Sequence, residues 1–200
     1  IQFDNDELAG VPDNVKQEWA MPSGKYLLII NTPNEENILR YADADATRRQ
    51  MYFKYNNRAY PENIKVLDSL LYYRQQYAEK LGYKSYAAYA LVNKMAGTPQ
   101  KVWDFQNNLI RKLAPNVTRD LNEIRVLKQQ LHPELPDSVH AWDIAYYKKA
   151  LLDTKYKLNT DELREYFEMN NTIKGMFEVY RRLLGVTVKQ TSGVPTWFAK

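Results

Sequence analysis

Two hundred residues, 44% hydrophobic and 26% charged, suffice for one globular domain with a real core, with or without a small appendage. The complete absence of cysteine excludes disulfides, cysteine-based zinc sites and thiol nucleophiles, and no run approaches the ~20 apolar residues that a membrane span requires. A net charge of +4, from 28 basic and 24 acidic residues interspersed along the chain, is not the clustered basic stripe of a nucleic-acid binder.

The predicted elements begin after a loop-rich opening. Gly10, Pro12, Pro22 and Gly24 punctuate residues 1–24, leaving room for a short helix over Asp13–Trp19. KYLLIIN, residues 25–31, is bounded by Gly24 and Pro33 and reads as a short strand. Pro33 opens a helical pattern with Ile38, Leu39 and Tyr41 on its apolar side. Asp43 or Asp45 is placed to cap the next helix, which carries Met51, Tyr52 and Tyr55.

Pro61 suits the first turn of a further helix. Ile64, Leu67, Leu70, Leu71, Tyr77, Ala78 and Leu81 follow every three or four residues, and Gly82 stands where a C-terminal cap belongs. Ser85 is the cap expected for YAAYALVNKMA. Thr98-Pro99 is a strong start signal for the longest helix, with Val102, Phe105, Leu109, Leu113, Val117, Leu121, Ile124, Leu127 and Leu131 in register. Pro115 is expected to kink or restart that helix.

After the loop HPELPDS, three more helices are expected. Trp142–Tyr156 is the first, DELREYF with Asn159 or Thr160 as cap is the second, and IKGMFEVYRRLLG with Thr172 as cap and Gly185 as stop is the third. VTVKQ, residues 186–190, alternates like an exposed strand. The class is therefore mainly α: a multi-helix array with one or two short strands near 25–31 and 186–190. The expected organisation is a single helical region with a looser part at 1–47, a helical body at 48–185, and an unpaired strand and tail at 186–200. Ile1 and the ending Trp197-Phe198-Ala199-Lys200 do not read as natural termini, so a fragment is expected.

No residue is nominated as catalytic, cofactor-binding or metal-binding. His132 and His140 lie eight apart across a loop, not four apart on one helix as a zinc pair needs, and read as surface histidines. Ser85 reads as a cap, and Ser138 beside His140 on one loop is not a triad arrangement. Glu35-Glu36, Asp43-Asp45 and Asp161-Glu162 all sit near helix starts, where the helix dipole favours negative charge. The pairs Arg48-Arg49, Lys148-Lys149 and Arg181-Arg182 read as solvated helix faces. The aromatic run Tyr72–Tyr89 follows helical spacing amid mixed charge, which favours packing in a core or cavity wall over base stacking.

Three strings carry a resemblance. LYYRQQYAEKLGYKSYAAYALVNKMAGTPQKVWDF (Leu71–Phe105), WDIAYYKKALLDTKYKLNTDELREYF (Trp142–Phe167) and LLGVTVKQTSGVPTW (Leu183–Trp197) resemble blocks of the thimet oligopeptidase, oligopeptidase A and dipeptidyl carboxypeptidase family of zinc metallopeptidases, with the dipeptidyl carboxypeptidase branch nearest. DNDELAGVPDN (Asp4–Asn14) matches more loosely. The resemblance implies a helical fold around a channel for short peptides, and a zinc held by a His-Glu-x-x-His helix plus a later Glu. That helix normally lies well downstream of a Trp-His pair. Here Phe198 follows Trp197, so no ligand, base or substrate-fixing residue is carried onto this chain. The expectation is a scaffold and channel portion whose catalytic half lies elsewhere in the same protein, inactive alone and free of zinc. Its expected compartment is the cytoplasm, with the periplasm as alternative. The competing readings are a stand-alone helical module that binds peptide or protein without cutting and, resting only on basicity and tyrosines, a nucleic-acid binder.

Overall fold

The computed structural model describes residues 1–157 and 162–195. Among them are eight α-helices: α1 (Asp13–Gln17), α2 (Thr32–Tyr41), α3 (Asp45–Asn56), α4 (Glu62–Lys80), α5 (Tyr86–Leu91), α6 (Pro99–Leu131), α7 (Ile144–Thr154) and α8 (Met169–Leu184). Short 3-10 turns occur at Asp6–Leu8 and Glu162–Phe167. The only sheet among the described residues pairs β1 (Gln2–Phe3) antiparallel with β2 (Tyr26–Leu27), in the register Gln2 to Leu27 and Phe3 to Tyr26. The fold is mainly α, as expected. The chain divides into two compact units, Ile1–Leu151 and Leu152–Lys200.

In the first unit the densest packing is at the N-terminal end. Phe3, Leu8, Val11, Trp19, Leu28, Ile38, Tyr41, Ala42 and Met51 form one buried cluster. Each fully buried large side chain there contributes about 1.5–3 kcal/mol relative to exposure. Residues 1–47, read from sequence as the looser part, hold most of this core. The polar groups around it are paired: Trp19 Nε1 donates to Asn34 Oδ1 at 3.1 Å, and Thr47 Oγ1 donates to the Glu7 carbonyl at 2.9 Å.

Several helix signals act as expected. Ser85 Oγ accepts from the Ala88 amide at the start of α5, and Thr98 Oγ1 from Lys101 at the start of α6; Asn31 Oδ1, not foreseen as a cap, accepts from the Asn34 amide at the start of α2. Gly82 adopts φ +82° just after α4, where the Tyr83 amide reaches back to the Ala78 carbonyl at 3.0 Å.

Other expectations are corrected. α3 has Ala44 at its N-cap and no side-chain cap bond, because both nearby aspartates are held by distant aromatic residues. α6 runs through Pro115 as one helix of 33 residues without restarting. A proline removes one intrahelical bond, and the flanking turns carry the helix across it. α5 stops at Leu91, short of the Ala96 expected from its apolar pattern. Of residues 25–31 only Tyr26 and Leu27 pair; the partner strand, Gln2–Phe3, has too little pattern to be foreseen.

In the second unit, α8 begins at Met169 rather than after Thr172. The Glu168 carboxylate accepts from the Asn170 and Asn171 amides at 3.0 and 2.8 Å, which starts the helix one turn earlier. Gly185, at φ +69°, ends it as expected. DELREYF, expected as a helix, is described over Glu162–Phe167 as a 3-10 turn. Residues 186–190 join no strand ladder among the described residues. Alternation alone does not make a strand; a neighbouring backbone must accept its hydrogen bonds. The expected caps Asn159 and Thr160, Asp161, and Trp197 with Phe198 lie outside the described residues.

Candidate functional site

The most highly organised polar site lies in the first unit, where α3, the end of α6 and the start of α7 meet. Its centre is Asp143, wholly buried one residue before α7. Lys128 Nζ donates to Asp143 Oδ2 at 2.8 Å, and Arg48 Nη2 to Oδ1 at 3.4 Å. The His140 backbone amide donates to Oδ2 at 2.9 Å. Lys128 and Arg48 are themselves buried. Lys128 also donates to the Ser138 carbonyl at 2.8 Å. Arg48 Nη1 donates to the Ala42 and Asp43 carbonyls, both at 2.8 Å, where α2 ends and its exposed carbonyls favour positive charge.

Aromatic rings close the site. The Arg48 guanidinium lies 4.3 Å from the Tyr146 ring centre and 5.8 Å from that of Tyr147. Tyr146 donates its hydroxyl to Asp43 Oδ1 at 3.0 Å, and Trp142 Nε1 donates to Asp45 Oδ1 at 2.9 Å. His140 stacks flat on Trp142, with ring centres 4.5 Å apart.

Burial opposes the charge on Asp143, but the Lys128 bond, the His140 amide and the Arg48 charge outweigh it and hold the carboxyl below the usual aspartate range. Burial, with the bond to Asp43 second, pushes the Tyr146 hydroxyl up to about 12. Burial pushes Tyr147 up to about 12 as well. Asp143 is therefore an anion held by three donors and shut off from solvent. Such a group, out of reach of solvent and of a dissolved substrate, fixes the helices around it.

The side chains weighed and set aside in the sequence lie in and around this site. His140 joins it, through its amide, its stacked ring and an Nδ1 lying 3.4 Å from Asp143 Oδ2. His132 ends α6, places Nδ1 3.2 Å from Glu134, and has its ring 6.3 and 6.1 Å from those of Tyr146 and Tyr147. Ser138 contributes its carbonyl, and Ser85 serves as a helix cap. Asp43 and Asp45 are tertiary anchors rather than caps. Glu35 has its carboxyl pushed up, first by burial and then by Glu36. The tyrosines of α4, α5 and the turn between them cluster edge to face: Tyr89 lies 5.4 Å from both Tyr77 and Tyr83, yet Tyr72, Tyr73 and Tyr77 stay exposed rather than entering a core.

Arg48 and Lys128 were missed as site residues. Arg48 was read as part of a solvated face; it is fully buried. The available signal was position: Arg48 shares a helix stripe with Met51 and Tyr55, and Lys128 shares one with Ile124 and Leu131. A charge set into an apolar stripe has to find a partner.

Among the described residues, no three His, Asp or Glu side chains gather as a metal-ligand group. His140 and Asp143 come together, but a cation there would face the fixed charges of Lys128 and Arg48. The zinc that the resemblance implies does not fit these residues.

The chain resembles known peptidases along almost its whole length. It is 32% identical to oligopeptidase A of Escherichia coli (strain K12) over 97% of the chain and 30% of that protein. It is 29% identical to saccharolysin of Saccharomyces cerevisiae over 96% of the chain and 28% of that protein. It is 27% identical to a probable cytosolic oligopeptidase A of Arabidopsis thaliana over 88% of the chain and 25% of that protein. The chain thus spans about 30% or less of the length of these relatives. Residues 38–200 match the pattern of Peptidase family M3, a stretch that takes in the Arg48–Lys128–Asp143 site and all helices from α3 onward, and the chain belongs to that family.

Proposed function

We propose that these 200 residues are the helical, channel-lining portion of a zinc-dependent oligopeptidase acting on short peptides. The His-Glu-x-x-His centre is assigned to chain outside them. The organisation proposed is one helical region of a larger metallopeptidase, with residues 48–185 as its body. These residues alone are inactive and hold no zinc in this reading.

The observation that carries the reading is an apolar stripe on each of two long helices. On α4, Ile64, Leu67 and Leu71 are 50%, 49% and 54% exposed. On α6, Leu109, Leu113, Val117 and Leu121 recur every four residues and are likewise exposed. Stripes at helical spacing are built to be covered, and exposed apolar surface on this scale marks an interaction face. The relatives are more than three times longer than this chain, which supports covering by further segments of the same protein. Peptides are supported as substrates by the oligopeptidase names of the relatives. The cytoplasm is the proposed compartment, supported by the name of the plant relative, with the periplasm as alternative.

Co-expression with the remainder of a full-length protein tests the covering. The expected result is loss of hydrophobic-dye binding and new hydrogen-exchange protection across α4 and α6. Dye binding and exchange unchanged by the added remainder would refute it.

A further inference from the structure

The outward face of α3 carries Arg49, Gln50, Phe53 and Lys54, side chains that the buried site does not use. Asp45, Ala46, Arg49, Gln50, Phe53, Lys54 and Asn57 line an open groove of about 610 Å³ along it. Arg49, Gln50, Phe53, Lys54 and Asn57 are exposed, and their spacing puts them on one side of the helix over about 12 Å at 1.5 Å per residue. Asp45 is the acid in the groove, and it is already held by Trp142 Nε1 and lies 3.6 Å from Arg48. Among the described residues neither Arg49 nor Lys54 forms a salt bridge. The groove therefore presents two uncompensated cations.

Aromatic rings hold one of them in place. The Arg49 guanidinium lies 5.2 Å from the Phe53 ring centre and 5.8 Å from that of Trp142. Phe53 and Trp142 have ring centres 5.8 Å apart, and Tyr52 stands edge-on to Phe53 and tilted against Trp142. Aromatic contact restrains an arginine while leaving its N–H fork open for a carboxylate, so less freedom is lost on binding. Phe53 is 45% exposed and supplies an apolar seat between the charges.

We propose that this face of α3 docks an acidic peptide segment, whose carboxylates meet Arg49 and Lys54 while an apolar side chain rests on Phe53 and Trp142. Charge complementarity chooses the occupant: two unpaired cations beside a half-exposed ring match an anion carrying an apolar residue. The groove length matches about four extended residues at ~3.3 Å each. The proposal is independent of the peptidase reading and of where a reactive centre lies.

Fluorescence anisotropy with the 200-residue chain tests it. The probe is a fluorescein-labelled heptapeptide of glutamates around one phenylalanine, compared with its glutamine counterpart. The glutamate peptide is expected to bind at least tenfold more tightly, and its affinity to fall with added salt. R49Q/K54Q should reduce it to the level of the glutamine peptide, while R111Q/K112Q on the exposed middle of α6 should leave it unchanged. Phe53→Ala should weaken binding while keeping the salt dependence, which covers the case of a double variant with altered helix content. Equal affinity for the two peptides, or full affinity in R49Q/K54Q, overturns the proposal. Displacement of the probe by a lower concentration of single-stranded oligonucleotide overturns it in favour of a nucleic-acid surface. A chain that sediments as a dimer, and as a monomer only in R49Q/K54Q, overturns it in favour of a second copy.

Discussion

Arg48 and Asp143, 95 residues apart in sequence, meet at 3.4 Å with both side chains completely buried. Lys128 joins them from α6. Three helices of the first unit are thus held by one carboxylate and two cations. Removing the anion leaves Lys128 buried without a carboxylate and Arg48 with only Asp45 at 3.6 Å, and breaking a buried pair from one side costs roughly 3–5 kcal/mol. Asp143→Asn is therefore expected to lower urea stability by about that amount. A double-mutant cycle pairing Arg48→Met with Asp143→Asn should show coupling of about 1–3 kcal/mol. Additive single effects would show that the two side chains do not act together.

The same carboxylate sets an acid dependence. Its folded-state pKa lies below the ordinary 3.8, so its contribution is full above pH 3.8 and disappears as the pH falls below that through the lowered native value. The wild-type chain should lose stability over that range more steeply than Asp143→Asn, as followed by urea midpoints at successive pH values. Parallel curves would remove Asp143 as the source.

Tyr147 gives the alkaline counterpart. Its hydroxyl is buried and makes no hydrogen bond with the described residues, and its pKa is pushed up from 10.0 to about 12 by burial. Burial penalises only its ionised form, so the hydroxyl costs no charge-related stability below pH 10, and stability is lost as the pH rises from 10 towards 12. Tyr147→Phe should flatten that loss. At pH 7 it should be neutral or stabilising by up to about 1 kcal/mol, because no bond is sacrificed. A large destabilisation at pH 7, measured by thermal unfolding, would show that the hydroxyl has a partner.

Gly10 sits at φ +83° where the chain passes beneath the end of α2. A Cβ there would collide with the Tyr41 carbonyl and the Asp43 carboxylate. The Ala9 carbonyl accepts from the Asp43 amide at 2.9 Å, which fixes the approach. Gly10→Ala combines backbone strain with a backbone clash and is expected to cost at least ~2 kcal/mol. Gly24→Ala, at φ +79° with open space around its Cβ, should cost less. Equal losses in the two variants would contradict the packing argument.

What could be read from the sequence was local. Ser85, Thr98 and Gly82 act through groups within five residues, so their roles as caps were visible from spacing. The apolar stripes of α4 and α6 were equally visible as helix faces, but no periodicity says what covers a face. The buried site was illegible for the opposite reason. Asp43 and Asp45 stand at a helix start, where local physics favours capping, and only Trp142 and Tyr146, about a hundred residues later, draw them away. The short β1–β2 ladder likewise depends on a pairing between Gln2–Phe3 and Tyr26–Leu27, far apart in the chain.

The role proposed for this chain is to shape and wall a peptide-cleaving protein without carrying its chemistry. Cleavage of a quenched fluorescent peptide by the purified 200 residues, measured with added zinc and with chelator alongside elemental analysis, tests it most directly. The account predicts a rate equal to the blank and less than stoichiometric zinc. Chelator-sensitive cleavage, or one tightly held zinc per chain, would contradict it.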